Sequence, residues 1–214
     1  MTDIPEHLER THRELTSGRI PAGNGRTVTL RRTYRADIED VWRACTDPDR
    51  LSRWFLPLTV APKVGGHYQL EGNAGGEILR CEPPRLLTVT WACGENLTDV
   101  DITEVELRLT ATGPDETELE LRHTAVVDPD RWARYGPGAT GVGWDLFVLG
   151  LDLHLAGEPK VDEAAWSASA EGTAYITGSG RAWGRAQLAA DGDAAAAELA
   201  ARNTIAFYTG TEQP

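Results

Sequence analysis

The chain has 214 residues, 41% hydrophobic and 25% charged, enough for one domain with a substantial core or for one domain plus an appendage. Its 33 acidic against 21 basic residues give a formal net charge of -12, which repels a nucleic acid duplex or an anionic bilayer and argues against both as partners. No apolar run approaches the ~20 residues that span a bilayer, and MTDIPEHLERTHREL lacks the order of a signal peptide, so a cytoplasmic protein is expected.

Residues 1–25 read as a charged lead-in, helical over Pro5 to Leu15 and ended by Gly18 and PAGNG. From Arg26 onward Val28, Leu30 and Tyr34 alternate with polar neighbours, as a half-buried strand requires. The period then switches. Ile38, Val41, Trp42 and Cys45 repeat at helical spacing behind an N-cap at Asp37, with Asp40 three positions on like the acid of a capping box. Asp47 and Pro48 start a second short helix, in which Leu51, Trp54 and Phe55 share a face. Arg31, Arg32 and Arg35 read as a solvated strand face, since no aromatic stacking series accompanies them.

Hairpin-length spacings follow. Gly65 and Gly66 turn into HYQLE, Gly72 to Gly76 precede EILRC, and Pro83-Pro84 separates that strand from RLLTVTW. The long arms DVDITEVELRLTAT and ETELELRHTAVV are divided by Gly113-Pro114-Asp115; parallel crossovers have no room here, so the strands should be antiparallel. A change of phase between Ile102 and Val105 predicts a β-bulge, and with it a strongly curved sheet.

GVGWDLFVLGLDLHLAG, from Gly141 to Gly157, predicts one long helix that is apolar over most of its circumference. Such a helix must be covered on more than the sheet side. The alanine-rich remainder reads as three helices, with caps at Asp162, Ser179 and Asp193 and breaks at Gly178 and Gly192. It is read as an appendage over residues 158–214, with a dimer partner as the competing cover of the domain at 26–157.

The order of strand, helix pair ending in DPDRLSRWF, hairpin GGHYQLEGNAGGEILRCEPPRLLTVTW, two long strands and a helix opening with GVGW resembles the domain of the activators of heat-shock protein 90 ATPase. That family lies within the START-like (SRPBCC, Bet v 1-like) superfamily. The resemblance covers about Arg26 to Gly157 and implies an α+β helix-grip fold, a curved antiparallel sheet around the long C-terminal helix with an apolar hollow between them. Superfamily members bind lipids, sterols, polyketides or other hydrophobic molecules, and some are cyclases, aromatases or hydrolases.

Under that fold Trp54, Tyr68, Trp91, Trp132, Trp144, Phe147 and Leu151 are the candidate lining of a small-molecule pocket, although aromatic residues at such spacings serve equally as core filler. His123 is in phase with Leu119 and Leu121 and should point inward. A hydrogen-bonded core histidine is the preferred reading; a general base or polar anchor, with His154 and Asp145 or Asp152 beside it, is the alternative. The three cysteines, Cys45, Cys81 and Cys93, are read as buried free thiols of a reducing compartment, and neither they nor the histidines have the spacing of a metal site. No cofactor is implied. The leading function is binding of a small hydrophobic molecule between sheet and helix, the alternatives a chaperone-associated module and a cyclase or hydrolase using the same cavity.

Overall fold

The computed structural model describes residues 4–93 and 103–212. Helix α1 (Ile4–Glu9) leads into strand β1 (His12–Ile20), which turns at Pro21 and Ala22 into β2 (Gly23–Tyr34), with partners from His12 and Arg31 to Ile20 and Gly23. The stretch expected as a helical lead-in is therefore mostly an edge strand. Its few apolar side chains, Leu15 and Ile20, are buried, and pairing with β2 overrides a local pattern too sparse in hydrocarbon to declare itself.

The helix pair forms where the period changes. Helix α2 (Ile38–Thr46) is capped by Asp37, which accepts from the Asp40 amide, and α3 (Pro48–Leu51) by Asp47, which accepts from the Arg50 amide. The Asp40 carboxylate accepts from Arg50 at 2.6 Å, tying the two helices together. Strands β3 (Leu58–Val60), β4 (His67–Leu70), β5 (Gly75–Glu82), β6 (Leu86–Trp91), β7 (Thr103–Gly113) and β8 (Glu116–Ala125) follow. They complete an antiparallel sheet in the order β1-β2-β8-β7-β6-β5-β4-β3. Register breaks between Ile78 and Arg80 and between Ala111 and Gly113 accompany its curvature. The bulge expected beside Ile102 lies outside the described residues.

A short helix not foreseen from the sequence, α4 (Pro129–Tyr135), starts on the Asp128 cap. Then comes α5 (Gly138–Leu155), the long helix, beginning three residues earlier than expected. Its faces divide by angle. Trp144, Val148 and Leu151 are buried towards the sheet, where the Tyr34 hydroxyl of β2 donates to the Val148 carbonyl at 3.0 Å. Gly138, Gly141, Val142, Asp145 and Leu149 form a second buried face. Gly143, Leu146, Phe147 and Gly150 are half-buried and make a third.

Of the C-terminal helices α6 (Glu163–Ser167), α7 (Ala170–Asp191) and α8 (Ala194–Tyr208), the last two cover the second face, with Trp183 of α7 against Gly141 and Thr204 of α8 against Gly138. Asp162 and Asp193 cap α6 and α8, and Gly192 ends α7 in the left-handed region with φ 75°. Contrary to expectation, α7 runs unbroken through Gly178. A mid-helix glycine costs about 1 kcal/mol relative to alanine, but a Cβ at Gly178 would lie 2.4 Å from Leu8 of α1, and one at Gly180 would lie 2.5 Å from Ile205 of α8. The glycines are what let α1 and α8 pack against α7. Ser179, expected as a cap, is instead fully buried within α7.

Its hydroxyl donates to the Asp145 carboxylate, as does the Trp183 indole at 3.0 Å, and Arg13 of β1 reaches the same carboxylate at 2.8 Å. Three elements, β1, α5 and α7, thus meet at one buried carboxylate. Arg32, read from sequence as solvated, is also buried and donates to Asp152 at 2.8 Å and to the His7 carbonyl at 2.8 Å. The thiols depart from expectation too. Cys81 of β5 and Cys93, two residues past β6, are exposed, and only Cys45 is substantially covered, its thiol pushed up to about 12 by burial. Among the described residues no helix is long and apolar enough to cross a membrane.

Candidate functional site

The third face of α5 is only partly covered. It forms one wall of an open cleft of about 710 Å³, bounded by Trp54 and Phe55 after α3, by Trp91, Thr103 and His123 of the sheet, and by the segment leading into α6. Two glycines, Gly143 and Gly150, thin the helix surface on either side of Phe147. Sequence spacing places them seven residues apart on one face, or about 10 Å along the axis.

The aromatic residues form a continuous series. Phe147 lies 5.0 Å from Trp54, 5.2 Å from Phe55 and 5.5 Å from Trp144, and Trp144 lies 5.0 Å from Trp91, all between ring centroids. Their interplanar angles are tilted or edge-to-face, the arrangements that ring quadrupoles favour. Trp54 is fixed by its indole, which donates to the Ala44 carbonyl at 3.0 Å. Lys160 donates to the Phe55 carbonyl at 2.5 Å and ties the segment after α5 across the end of the cleft.

The polar groups at the base of the cleft satisfy one another. The Trp144 indole donates to His123 Nδ1 at 2.9 Å, so that nitrogen carries no proton and the other, Nε2, does. Nε2 meets Thr103 Oγ1 at 2.7 Å, and the Thr103 hydroxyl in turn donates to the Trp91 carbonyl at 2.7 Å. Desolvation lowers the His123 pKa to about 4, and the ring is a neutral link in a closed chain. With no free lone pair it is not poised to take a proton from a ligand.

The sequence-predicted candidates divide accordingly. Trp54, Trp91, His123, Trp144 and Phe147 line the cleft. Tyr68 stands behind Trp91 at 6.5 Å and donates to the Thr90 carbonyl at 2.7 Å, so it backs the wall without lining it. Leu151 is sealed in the core, with no exposed surface. Trp132 lies on α4 beneath the Arg26 guanidinium, 5.1 Å from its ring centroid, beside a separate surface hollow. His154 lines the cleft but is stacked on Trp54 and bonded to Arg50 at 3.2 Å, while Asp145 is bonded to Ser179 and Trp183 of α7 and Asp152 to Arg32 of β2. The acid–base grouping considered from sequence is not assembled. Phe55, Trp166 and Tyr208 were missed as lining residues; the shared face of Trp54 and Phe55 pointed to the first, whereas nothing local brings the other two to α5.

A curved antiparallel sheet gripping one long helix, with an apolar cleft along that helix, defines the helix-grip class of binding folds. The sequence profile of the family described as Activator of Hsp90 ATPase homolog 1-like protein matches residues 35–156, and the chain belongs to that family. The crystal structure of CalU16 from Micromonospora echinospora is 38% identical, with a TM-score of 0.68 over 82% of this chain and 97% of that one. The solution structure of CalU16 aligns at 31% identity and a TM-score of 0.63 over 94% of each chain, a span that cannot omit the helices after residue 156. Protein MLL2253 from Mesorhizobium loti, 28% identical with a TM-score of 0.52, is covered over 97% of its own length by 61% of this chain. No curated protein sequence matches the chain.

Proposed function

We propose that the protein binds a small hydrophobic ligand in the cleft beside α5. The observation that carries this reading is a concavity of about 710 Å³ walled by Trp54, Phe55, Trp91, Trp144 and Phe147, whose basal polar groups are already paired with one another. Its size falls within the ~300–1,000 Å³ of ordinary ligand sites. A mutually satisfied polar floor offers no partner to a charge placed over it and penalises its desolvation, which favours a neutral, ring-rich or hydrocarbon group among the rings, while the exposed Asp128, Arg131, Glu158, Lys160 and Glu163 also line the cleft.

The chaperone-module alternative rests on family membership. A cyclase or hydrolase built on His123 finds no support in a ring whose two nitrogens are both bonded and whose pKa is about 4. Three unpaired cysteines, two of them exposed, support a reducing compartment such as the cytoplasm.

The test is titration with the neutral fluorophore N-phenyl-1-naphthylamine, alongside native mass spectrometry of protein purified without added lipid. Saturable one-to-one binding is expected, lost in Phe147→Arg, which sets a charge among the rings, and kept in Leu188→Arg, a site that is 42% exposed on α7. Binding that does not saturate, or that survives Phe147→Arg, would remove the proposal. Recovery of an Hsp90-type chaperone equally by wild type and Phe147→Arg would favour the module reading instead.

A further inference from the structure

Resting on that reading, we infer that Tyr208, the last residue of α8, sets the length of ligand that the cleft accepts. The cleft follows α5 from Ala139 in its first turn to His154 in its last. At the far end Trp54 closes over Gly150, where an added Cβ would lie 3.2 Å from the indole ring. At the near end the corresponding place is taken by Tyr208: a Cβ on Gly143 would lie 3.3 Å from its hydroxyl oxygen, and that hydroxyl donates to the Ala139 carbonyl at 2.9 Å. Two aromatic side chains therefore stand over two glycines of one helix face, with Phe147 between them.

The two stops are of different origin. Trp54 belongs to the segment that the family profile covers, whereas Tyr208 lies beyond residue 156, where the profile ends. Its position is imposed by the tail. Helix α8 is fastened to α4 by Thr204, which donates to the Tyr135 carbonyl at 2.8 Å, and by Asn203, which donates to the Arg134 carbonyl at 2.9 Å. It is fastened to α7 through the close approaches at Gly180 and Gly184. The Tyr208 ring packs edge-on to Phe207 at 5.3 Å. A ligand lying on the α5 surface between Gly143 and Ala139 must break the bond to Ala139 and displace this ring, whereas one that ends short of that stretch loses nothing.

The experiment compares two neutral probes, the compact N-phenyl-1-naphthylamine and the rod-like 1,6-diphenylhexatriene, on the full-length chain. Tyr208→Ala should raise affinity for the rod by about tenfold or more relative to the compact probe. Tyr208→Leu, which keeps an apolar contact and withdraws the hydroxyl end, should move the ratio the same way by less. Leu199→Ala, an exposed position on the same helix, should leave it unchanged. An unaltered ratio in both Tyr208 variants with native circular dichroism, or an equal change in Leu199→Ala, would overturn the inference while leaving ligand binding intact. Failure of wild type to bind either probe would overturn the binding proposal and this inference with it.

Discussion

Two faces of α5 treat buried polarity in opposite ways. On the tail side a full charge is enclosed: Asp145 has no exposed surface and is met by Arg13, Ser179 and Trp183. At the base of the cleft the buried polar groups are neutral, an indole, an imidazole and a hydroxyl joined end to end. A buried charge is tolerated only where every partner is permanent, so it marks a joint that does not open. A neutral, self-satisfied chain leaves a wall that can be exposed or covered without leaving a partner stranded. The comparison therefore separates the side of the helix that fastens the tail from the side left to a ligand.

The strongest way to break it is at the fastened side. Asp145→Ala strands Arg13, whose side chain is only 6% exposed, and should cost about 3–5 kcal/mol. The measurement is urea unfolding, with a lowered midpoint at unchanged slope. A loss of less than about 1 kcal/mol, the range of surface pairs, would mean that the charge is not the fastener described.

Next is the pH response of the open side. His123 titrates at about 4 in the native chain against 6.5 when unperturbed, so between those values the unfolded chain binds a proton that the native one refuses. Its contribution is complete above pH 6.5 and falls away as the pH drops towards 4. The loss from this group is about 3 kcal/mol at ~1.4 kcal/mol per pH unit. Burial also lowers the His7 pKa and adds to the same window, so the informative comparison is wild type against His123→Gln. The variant should lose less stability between neutral pH and about pH 4.5; equal losses would mean that His123 is not held neutral by the fold.

The smallest and sharpest contrast uses two glycines of one helix. A Cβ at Gly141 would lie 2.1 Å from the ring of Trp183, which is fully buried and has nowhere to move, whereas at Gly143 it would lie 3.3 Å from the end of the Tyr208 side chain. Replacing glycine by alanine within a helix gains about 0.5–1 kcal/mol, and overpacking a core costs about 1–3 kcal/mol. Gly141→Ala should therefore lower the melting temperature and Gly143→Ala should hold or raise it. Coincident melting curves would contradict the close packing of α7 on α5.

Much of the framework was legible because it is local. Asp37 and Asp47 cap their helices through amides three residues on, and the glycine and proline punctuation divides the strands at turns that the neighbouring residues define. The composition of α5 announced that one sheet would not suffice to cover it. Of the cleft, His123 was found because strand alternation aims it inward, and Trp54, Trp91, Trp144 and Phe147 because the resemblance to the helix-grip fold implies a hollow beside them; Leu151 and Tyr68, nominated with them, lie one layer deeper.

What the sequence by itself determined was thus the strand and capped helix pair from Arg26 to Phe55, the turns that divide the later strands, the long helix and its need for a second cover, all set by interactions within a few residues. Only the tertiary structure decided that His12 to Ile20 would be a strand, that α7 would pass through Gly178, and that Tyr208 would reach Ala139. It also decided that Arg32, ordinary in its own neighbourhood, would be buried against Asp152, a partner 120 residues away. Each outcome turns on contacts between distant segments, and their energies exceed the small local preferences that a sequence pattern records.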